Sequence, residues 1–355
     1  MADTIRTCVV GFGFAGRIFH AAVVDAVPGL ELSGIVQRRG DEAAHAYPPV
    51  TIYRDAQDAI DDPALQLIVI ATPNESHFDL GRRALEAGKH VVIDKPFTLR
   101  SDEAAKLVDL SRAKSLVLSV YHNRRWDGDF LTIKGLLDAG TLGKITSYES
   151  HFDRWRPQRK PETWRENGAP GGGLTWDLGP HLIDQALMLF GPPQAVFADI
   201  RSEREGARMD DAFDVRLYYP NHSVVLRATC MALVPGARFA VYGNRGCYIK
   251  NGLDPQEDLL KRGERFGSPA WGTEPAKNWG TLTIDDGGSL VSMPIETRAG
   301  DYRGYYANVR DAILGRAPLA VTGSQAWRVV RVLELAIESS RKRAVLACDL
   351  QSFSG

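Results

Sequence analysis

The chain has 355 residues, 44% of them hydrophobic and 25% charged, which is the composition of a globular protein with the length of about two domains. Its 43 basic and 44 acidic residues leave a net charge of −1, which offers no footing for nucleic acid or an anionic membrane. The longest strongly apolar run, Leu67-Ile68-Val69-Ile70-Ala71, falls far short of the ~20 residues that span a bilayer. In the first third, apolar runs at Thr7–Val10, Leu30–Val36, Leu65–Ala71, His90–Ile93 and Leu116–Val120 are predicted strands. Helical patterns at Gly16–Val27, His77–Ala87 and Asp102–Ala113 lie between them. Strands without internal alternation, separated by helices, predict an α/β fold with a doubly wound parallel sheet.

The pattern changes near residue 123. A helix is expected at Asp129–Ala139, a strand at Ile145–Phe152 and a helix at Leu178–Phe190, stopped by Gly191-Pro192-Pro193. Strand-like segments follow at Ala195–Ile200, Ala212–Tyr219, Ser223–Thr229, Arg238–Tyr242 and Tyr248–Lys250. Phe213, Val215, Leu217 and Tyr219 alternate with polar neighbours, as in a half-buried antiparallel strand. Gly252–Asn278 reads as a long loop, and helices near Tyr305–Leu314 and Ser324–Arg341 close the chain. This part is expected to be α+β with a large open, mainly antiparallel sheet. Cys8, Cys230, Cys247 and Cys348 are scattered without metal-ligand spacing, so neither a metal site nor a disulfide framework is expected. The opening Met1–Arg6 stretch shows no apolar leader core, and a cytoplasmic protein is the expectation.

Gly11-Phe12-Gly13-Phe14-Ala15-Gly16 follows the first strand and opens a helix. This spacing suits a dinucleotide pyrophosphate. The glycines permit a tight turn, a close backbone approach and tight helix packing, and the helix N-terminus offers free N–H groups. Residues 1–123 therefore read as a dinucleotide-binding domain. Residues 124–355 read as a substrate and oligomerisation domain whose last helices can pack back on the first. An acidic residue about 20 positions beyond the turn would hold the ribose hydroxyls of NAD. Neutral Gln37 stands there, followed by Arg38 and Arg39. Two guanidiniums attract a 2′-phosphate, so NADP is favoured, with NAD as the second option.

Lys95, in Asp94-Lys95-Pro96, ends a predicted strand, where ligands bind in open α/β sheets. A lysine there can donate to a substrate oxygen. In Gly171–Asp184, Asp177, His181 and Asp184 share one helix face, although Asp177 can alternatively cap the helix ahead of Pro180. A carboxylate beside a histidine fixes its tautomer and raises its basicity. His181 would take a hydroxyl proton while Lys95 polarises the oxygen, and the two can exchange these roles. With Lys95 supplying positive charge, no metal is needed.

These motifs together resemble the Gfo/Idh/MocA (glucose–fructose oxidoreductase, inositol dehydrogenase) family over nearly the whole chain. The carrying segments are Val9–Gly13, Ala71-Thr72-Pro73-Asn74 with His77, Ala87–Val91, Asp94-Lys95-Pro96 and Gly171–Asp184. The family's Glu-Lys-Pro appears as Asp94-Lys95-Pro96, with a shorter acid. The resemblance implies catalytic roles for Lys95, Asp177 and His181. It implies cofactor contacts at Ala71, Thr72, Pro73, Asn74, His77, Asp94, Asn123, Trp164, Arg165 and Tyr302. It also implies a homodimer or homotetramer built on the open sheet. His122–Asp127 and Phe152–Pro157 look like the branch containing NADP-dependent scyllo-inositol 2-dehydrogenases. There Arg154 and Arg156 would donate to hydroxyls and Trp155 would pack on a ring, though a regular strand would turn Trp155 to the opposite face from the two arginines.

The leading expectation is an NADP(H)-dependent oxidoreductase acting on a secondary alcohol or ketone of a cyclitol or sugar. The rivals are oxidation-assisted glycoside cleavage with a tightly held cofactor, and a non-catalytic dinucleotide sensor.

Overall fold

The structure, a computed structural model, describes residues 4–350; Met1–Asp3 of the opening stretch lie outside it. The first part runs β1 (Ile5–Val10), a π-helical turn (Gly16–Ala21), α1 (Ala22–Asp25), β2 (Leu30–Val36), α2 (Glu42–Ala46) and β3 (Thr51–Tyr53). It continues through α3 (Ala56–Asp61), β4 (Leu67–Ile70), α4 (His77–Glu86), β5 (His90–Ile93), α5 (Ser101–Ala113) and β6 (Leu118–Val120). All six strands are parallel, in the order β3-β2-β1-β4-β5-β6. The expected doubly wound sheet is present. Its strands read as continuous apolar runs because both faces are buried. Val10, Ile68, Ile70, Val91 and Ile93 enter one apolar layer. Their neighbours Val9, Val69 and Val92 enter the other.

In this part of the chain the elements without a sequence expectation, α2, β3 and α3, are short. α2 and α3 span less than two turns, too little for a helical period to show. Side chains outside the helix ends help hold them: Gln37 Oε1 accepts the Ala43 N–H at 2.8 Å, and Asp55 Oδ1 accepts the Gln57 N–H at 2.7 Å.

The second part contains α6 (Gly128–Asp138), β7 (Ile145–His151), α7 (Leu174–Phe190), β8 (Ala195–Arg201), β9 (Ala212–Tyr218) and β10 (Ser223–Thr229). Next come β11 (Phe239–Gly243), β12 (Gly246–Lys250), α8 (Gln256–Lys261), β13 (Gly280–Asp286) and β14 (Ser289–Ile295). The chain ends in α9 (Arg303–Ile313), α10 (Gly323–Lys342) and β15 (Leu346–Ala347). The strands form one nine-stranded sheet, ordered β14-β13-β12-β11-β7-β10-β9-β8-β15. Only β7 and β10 pair in parallel, so the sheet is mainly antiparallel as expected. The expected loop Gly252–Asn278 contains α8 and a 3-10 turn at Ala276–Asn278.

α7 begins at Leu174, ahead of the expected Leu178. Its first N–H groups are satisfied by a remote residue, not a local cap: Leu174 N donates to the Asp210 carbonyl at 2.9 Å, and Thr175 N to Asp210 Oδ2 at 2.6 Å. Asp177 therefore lies inside the first turns and is not the cap.

The two sheets are tied together by helices. α10 packs on α5 and also on α7 and β8. Its start is a capping box in which Thr322 and Gln325 bond each other's backbone N–H. Tyr305, Tyr306 and Val309 of α9 enter the apolar layer beneath β1 and β4. Arg125 donates to both Asp184 oxygens, at 2.6 and 2.8 Å, and to the Ala320 carbonyl at 2.7 Å. Both charged side chains are buried. Burial works to raise the Asp184 pKa, yet Arg125 and His122 outweigh it and hold the carboxyl below its usual range.

Asp184→Asn leaves a buried guanidinium without its counter-charge. It is expected to lower stability by about 3–5 kcal/mol at pH 7. A carboxyl held low in the folded state stabilises above the ordinary carboxylate range and loses that contribution as the pH falls. The gap between variant and wild type should therefore narrow below about pH 4. Urea unfolding at several pH values measures both.

Candidate active site

A cleft of about 700 Å³ opens at the carboxyl ends of the parallel strands, where the strand order reverses between β1 and β4. The glycine turn, Gln37–Arg39, Ala71–Ser76 and Asp94–Pro96 form its walls, and Trp164, Arg165, Gly171, Gly173, Trp176 and Asp177 close it from the second part. In the turn, Gly11 has φ +101°, and a Cβ on Gly16 would lie 1.9 Å from the Gly11 carbonyl oxygen. A Cβ on Gly13 would meet no protein atom within 4 Å. Gly13 thus leaves the turn's crown free for a group lying against the backbone, which is what a pyrophosphate requires.

At the end of β2, Gln37 is occupied with α2. Arg54 braces the next residues by donating to the Gly40 carbonyl at 2.6 Å and Asp41 Oδ1 at 2.8 Å. Arg38 and Arg39 are exposed on the cleft rim. No hydrogen bond or ion pair occupies either of them among the described residues.

Lys95 lies at the start of the loop after β5. Its Nζ donates to the Asp177 carbonyl at 2.7 Å and to Asp177 Oδ1 at 3.0 Å. Pro180, inside α7, supplies no N–H to this turn of the helix. Arg154 and Arg165 stand 3.7 and 3.8 Å from the same carboxylate. Burial works against the charge of Asp177, but Lys95, Arg154 and Arg165 outweigh it and hold the carboxyl well below its usual range. Asp177 consequently serves three cations and does not pair with His181, contrary to the expected carboxylate–histidine couple.

The His181 side chain makes no hydrogen bond among the described residues, and its buried Nδ1 has no partner there. Burial above all, then Lys95, Arg124, His122 and Arg238, pushes it well below the usual histidine range, so the ring is neutral. His122, buried nearby, is lowered to about 4, chiefly by burial. Asp94 faces the cleft and lies 3.5 Å from His20 Nε2, while His20 Nδ1 meets the Tyr306 hydroxyl at 2.6 Å. Burial works to raise Asp94, but His20, Lys95 and His77 hold it low.

An oxidoreductase-family NAD-binding Rossmann profile matches residues 5–122, and the family's C-terminal α/β domain profile matches residues 134–347. The chain belongs to the Gfo/Idh/MocA oxidoreductase family. The Escherichia coli oxidoreductase YdgJ is 46% identical over 98% of this chain and 99% of its own length. The Bacillus subtilis scyllo-inositol 2-dehydrogenase (NADP(+)) IolW is 35% identical over 98% and 97%. The solved structure of the B. subtilis oxidoreductase yvaA superposes with a TM-score of 0.95 at 34% identity, covering 98% of this chain and 99% of that one.

The protein is thus an NAD(P)-binding oxidoreductase acting on small molecules. Its cleft contains most of the expected cofactor residues: the whole glycine turn except Gly16, which packs beneath it, together with Gln37 to Arg39, Ala71 to Asn74, Asp94, Lys95, Trp164 and Arg165. Three others lie elsewhere. His77 is fully buried and clamps two loops, through Nδ1 to the Pro96 carbonyl at 2.8 Å and Nε2 to the Thr72 carbonyl at 3.0 Å. Tyr302 is buried in the layer under β1, its hydroxyl donating to Asp127 Oδ1 at 2.8 Å. Asn123 is buried in a 3-10 turn away from the cleft wall. These positions support cofactor loops or pack behind them.

Of the expected substrate residues, Arg154 reaches Asp177. Trp155 is half exposed and outside the cleft wall, bridging by its backbone to Met231. β7 ends at His151, ahead of both residues, although backbone bonds from Phe152 to Arg227 and from Arg154 to Thr229 carry the chain on beside β10. Asp55, Ser76, Asp79, Arg83 and Trp176 line the cleft without a sequence expectation. Ser76, Asp79 and Arg83 recur at helical spacing, a signal that a face-by-face reading of α4 carries. Among the described residues, no cluster of three His, Cys, Asp or Glu side chains is arranged to hold a metal ion, and no helix is long and apolar enough to cross a membrane.

Gly13→Ala should leave stability within about 0.5 kcal/mol, since the added methyl meets no protein atom. It should weaken dinucleotide binding by tenfold or more, about 1.4 kcal/mol. Gly16→Ala, which collides with the Gly11 backbone, should destabilise the fold. Thermal unfolding beside an NADPH fluorescence titration separates the two.

Proposed function

We propose that this oxidoreductase uses NADP(H) to interconvert a secondary alcohol and a ketone on a cyclitol or sugar ring. The observation that carries the proposal is Lys95, held on Asp177 in a cleft whose rim presents two unpaired arginines. A nicotinamide bound in the cleft would supply the hydride acceptor in one direction and the donor in the other. In oxidation, the neutral ring of His181 takes the hydroxyl proton. Lys95 donates to the same oxygen and stabilises the negative charge developing on it. Asp177 fixes the Lys95 ammonium in position. In reduction the proton returns to the oxygen by the same groups.

The preference for NADP rests on Arg38 and Arg39. With no carboxylate among the described residues engaging them, both guanidiniums are available to a 2′-phosphate. The cyclitol assignment rests on the likeness to IolW, whose name states that substrate and cofactor. Arg154, 3.7 Å from Asp177, stands where it can donate to a hydroxyl of a polyol in the same site.

Lys95→Met should reduce kcat by about 10²–10⁴ while leaving NADPH binding within a few-fold. The assay is reduced-nicotinamide absorbance with a panel of inositols and aldoses. Turnover at the wild-type rate removes Lys95 from the chemistry. Replacing Arg38 and Arg39 together by Ala should weaken NADP at least tenfold and leave NAD unchanged, as read by direct titration. Equal losses for both cofactors would refute the 2′-phosphate assignment.

A further inference from the structure

Arg83 lies on α4, in the wall of the cleft, on a part of the helix for which the reaction described above has no use. Its guanidinium is not free in the manner of Arg38 and Arg39. Nε donates to Gln57 Oε1 at 2.8 Å, and Nη2 donates to the same oxygen. Nη1 meets Asp79 Oδ2 at 3.3 Å. Gln57 is itself anchored, its Nε2 donating to Asp61 Oδ1 at 2.6 Å, so its carbonyl end is the one turned to Arg83. The guanidinium therefore spans the gap between α3 and α4 with one donor of each nitrogen engaged and two of its five N–H donors left over.

A guanidinium pinned through three of its donors is held in one orientation, and those in-plane hydrogen bonds leave its flat faces unobstructed. A planar cation with a free face stacks on an aromatic ring, whereas phosphate recognition needs the edges. The surroundings suit a flat apolar ring. Leu80, buried on the same helix face, and Ala56, at the start of α3, line the cleft beside Arg83. Arg38 and Arg39 rim the same cleft at the end of β2. If those two take the 2′-phosphate, the base attached to the same ribose has to lie within a few ångströms of them, in the direction of α3 and α4.

We infer that Arg83, held flat by Gln57, stacks on the adenine of the bound dinucleotide. The inference rests on the dinucleotide reading given above and adds to it a division of labour. Arg38 and Arg39 discriminate NADP from NAD by their edges. Arg83 binds the adenine common to both by its face, and so contributes affinity without discrimination.

The test uses the full chain and direct binding, which needs no substrate. NADPH and NADH are titrated by fluorescence, and 5′-ADP and 2′,5′-ADP by calorimetry, against wild type, Arg83→Ala, Arg83→Lys and the Arg38/Arg39 double Ala variant. Arg83→Ala should weaken all four ligands alike, by about tenfold. Arg83→Lys keeps the charge but lacks the planar face, so it should show the same uniform loss, and it serves where the Ala variant folds poorly. The double variant should lose NADPH and 2′,5′-ADP selectively.

Three results would overturn the inference: wild-type affinity in both Arg83 variants, full rescue by Lys, or a loss confined to the 2′-phosphorylated ligands. A wild-type protein that binds none of the four would instead remove the dinucleotide reading itself.

Discussion

The contact on which the site depends is the one between Lys95 and Asp177. It joins the end of a parallel strand in one sheet to a helix packed on the other. A carboxylate taken out of water is costly unless it is paired and hydrogen-bonded. Asp177 meets that condition with three cations, at 3.0, 3.7 and 3.8 Å. Without it, Lys95, Arg154 and Arg165 would repel one another across the mouth of the cleft. The same carboxylate thus does two things: it makes the convergence of positive charge tolerable, and it aims the lysine. The backbone carbonyl of Asp177 adds a second acceptor at 2.7 Å, so Lys95 is fixed in direction as well as in charge.

Such a contact is useful only if the two sheets hold their relative position. Several ties do this. Asn74 Nδ2 donates to the Gly171 carbonyl at 2.9 Å, sewing the loop after β4 to the segment that leads into α7. Arg125 holds Asp184, further along α7. α10 lies against elements of both sheets, and α9 supplies tyrosines to the layer beneath the first. The cleft is a seam between two packed bodies, crossed by the bonds of Asn74 to Gly171 and of Lys95 to Asp177. The rim at the end of β2 is different. Arg38 and Arg39 stand exposed there, as suits groups whose partner is a ligand.

Residues named by the family resemblance divide into those that touch the cleft and those that hold up what does. His77 and Tyr302 are of the second kind. His77 bridges the carbonyls of Thr72 and Pro96, one from each of two cofactor-side loops, so the two loops move together. Tyr302 fills the layer beneath the glycine turn, edge-on to Phe19. A motif preserves both kinds because a loop is placed as much by the side chain behind it as by the one in front.

Local pattern was enough for the doubly wound sheet, the mainly antiparallel second sheet, the glycine turn and the placing of Lys95 at a strand end. Each is written in neighbouring residues: apolar runs between helices, glycines at set spacing, a strand that stops at a charged residue. The start of α7 was not legible, because its cap is Asp210, far along the chain. Nor were the partners of Asp177. Helical spacing put His181 on its face, but spacing measures only what a helix offers, while the ion pairs were decided by what the other sheet brought opposite: Lys95, Arg154 and Arg165. Arg83 shows the same limit. Helical spacing puts it on one face with Ser76 and Asp79, but only the packing of α3 against α4 sets Gln57 beside it. The sequence by itself determined which elements form and which residues stand at their ends, since those follow from a few adjacent positions. The tertiary structure decided which charges meet, since Coulomb energy depends on separation in space and not along the chain.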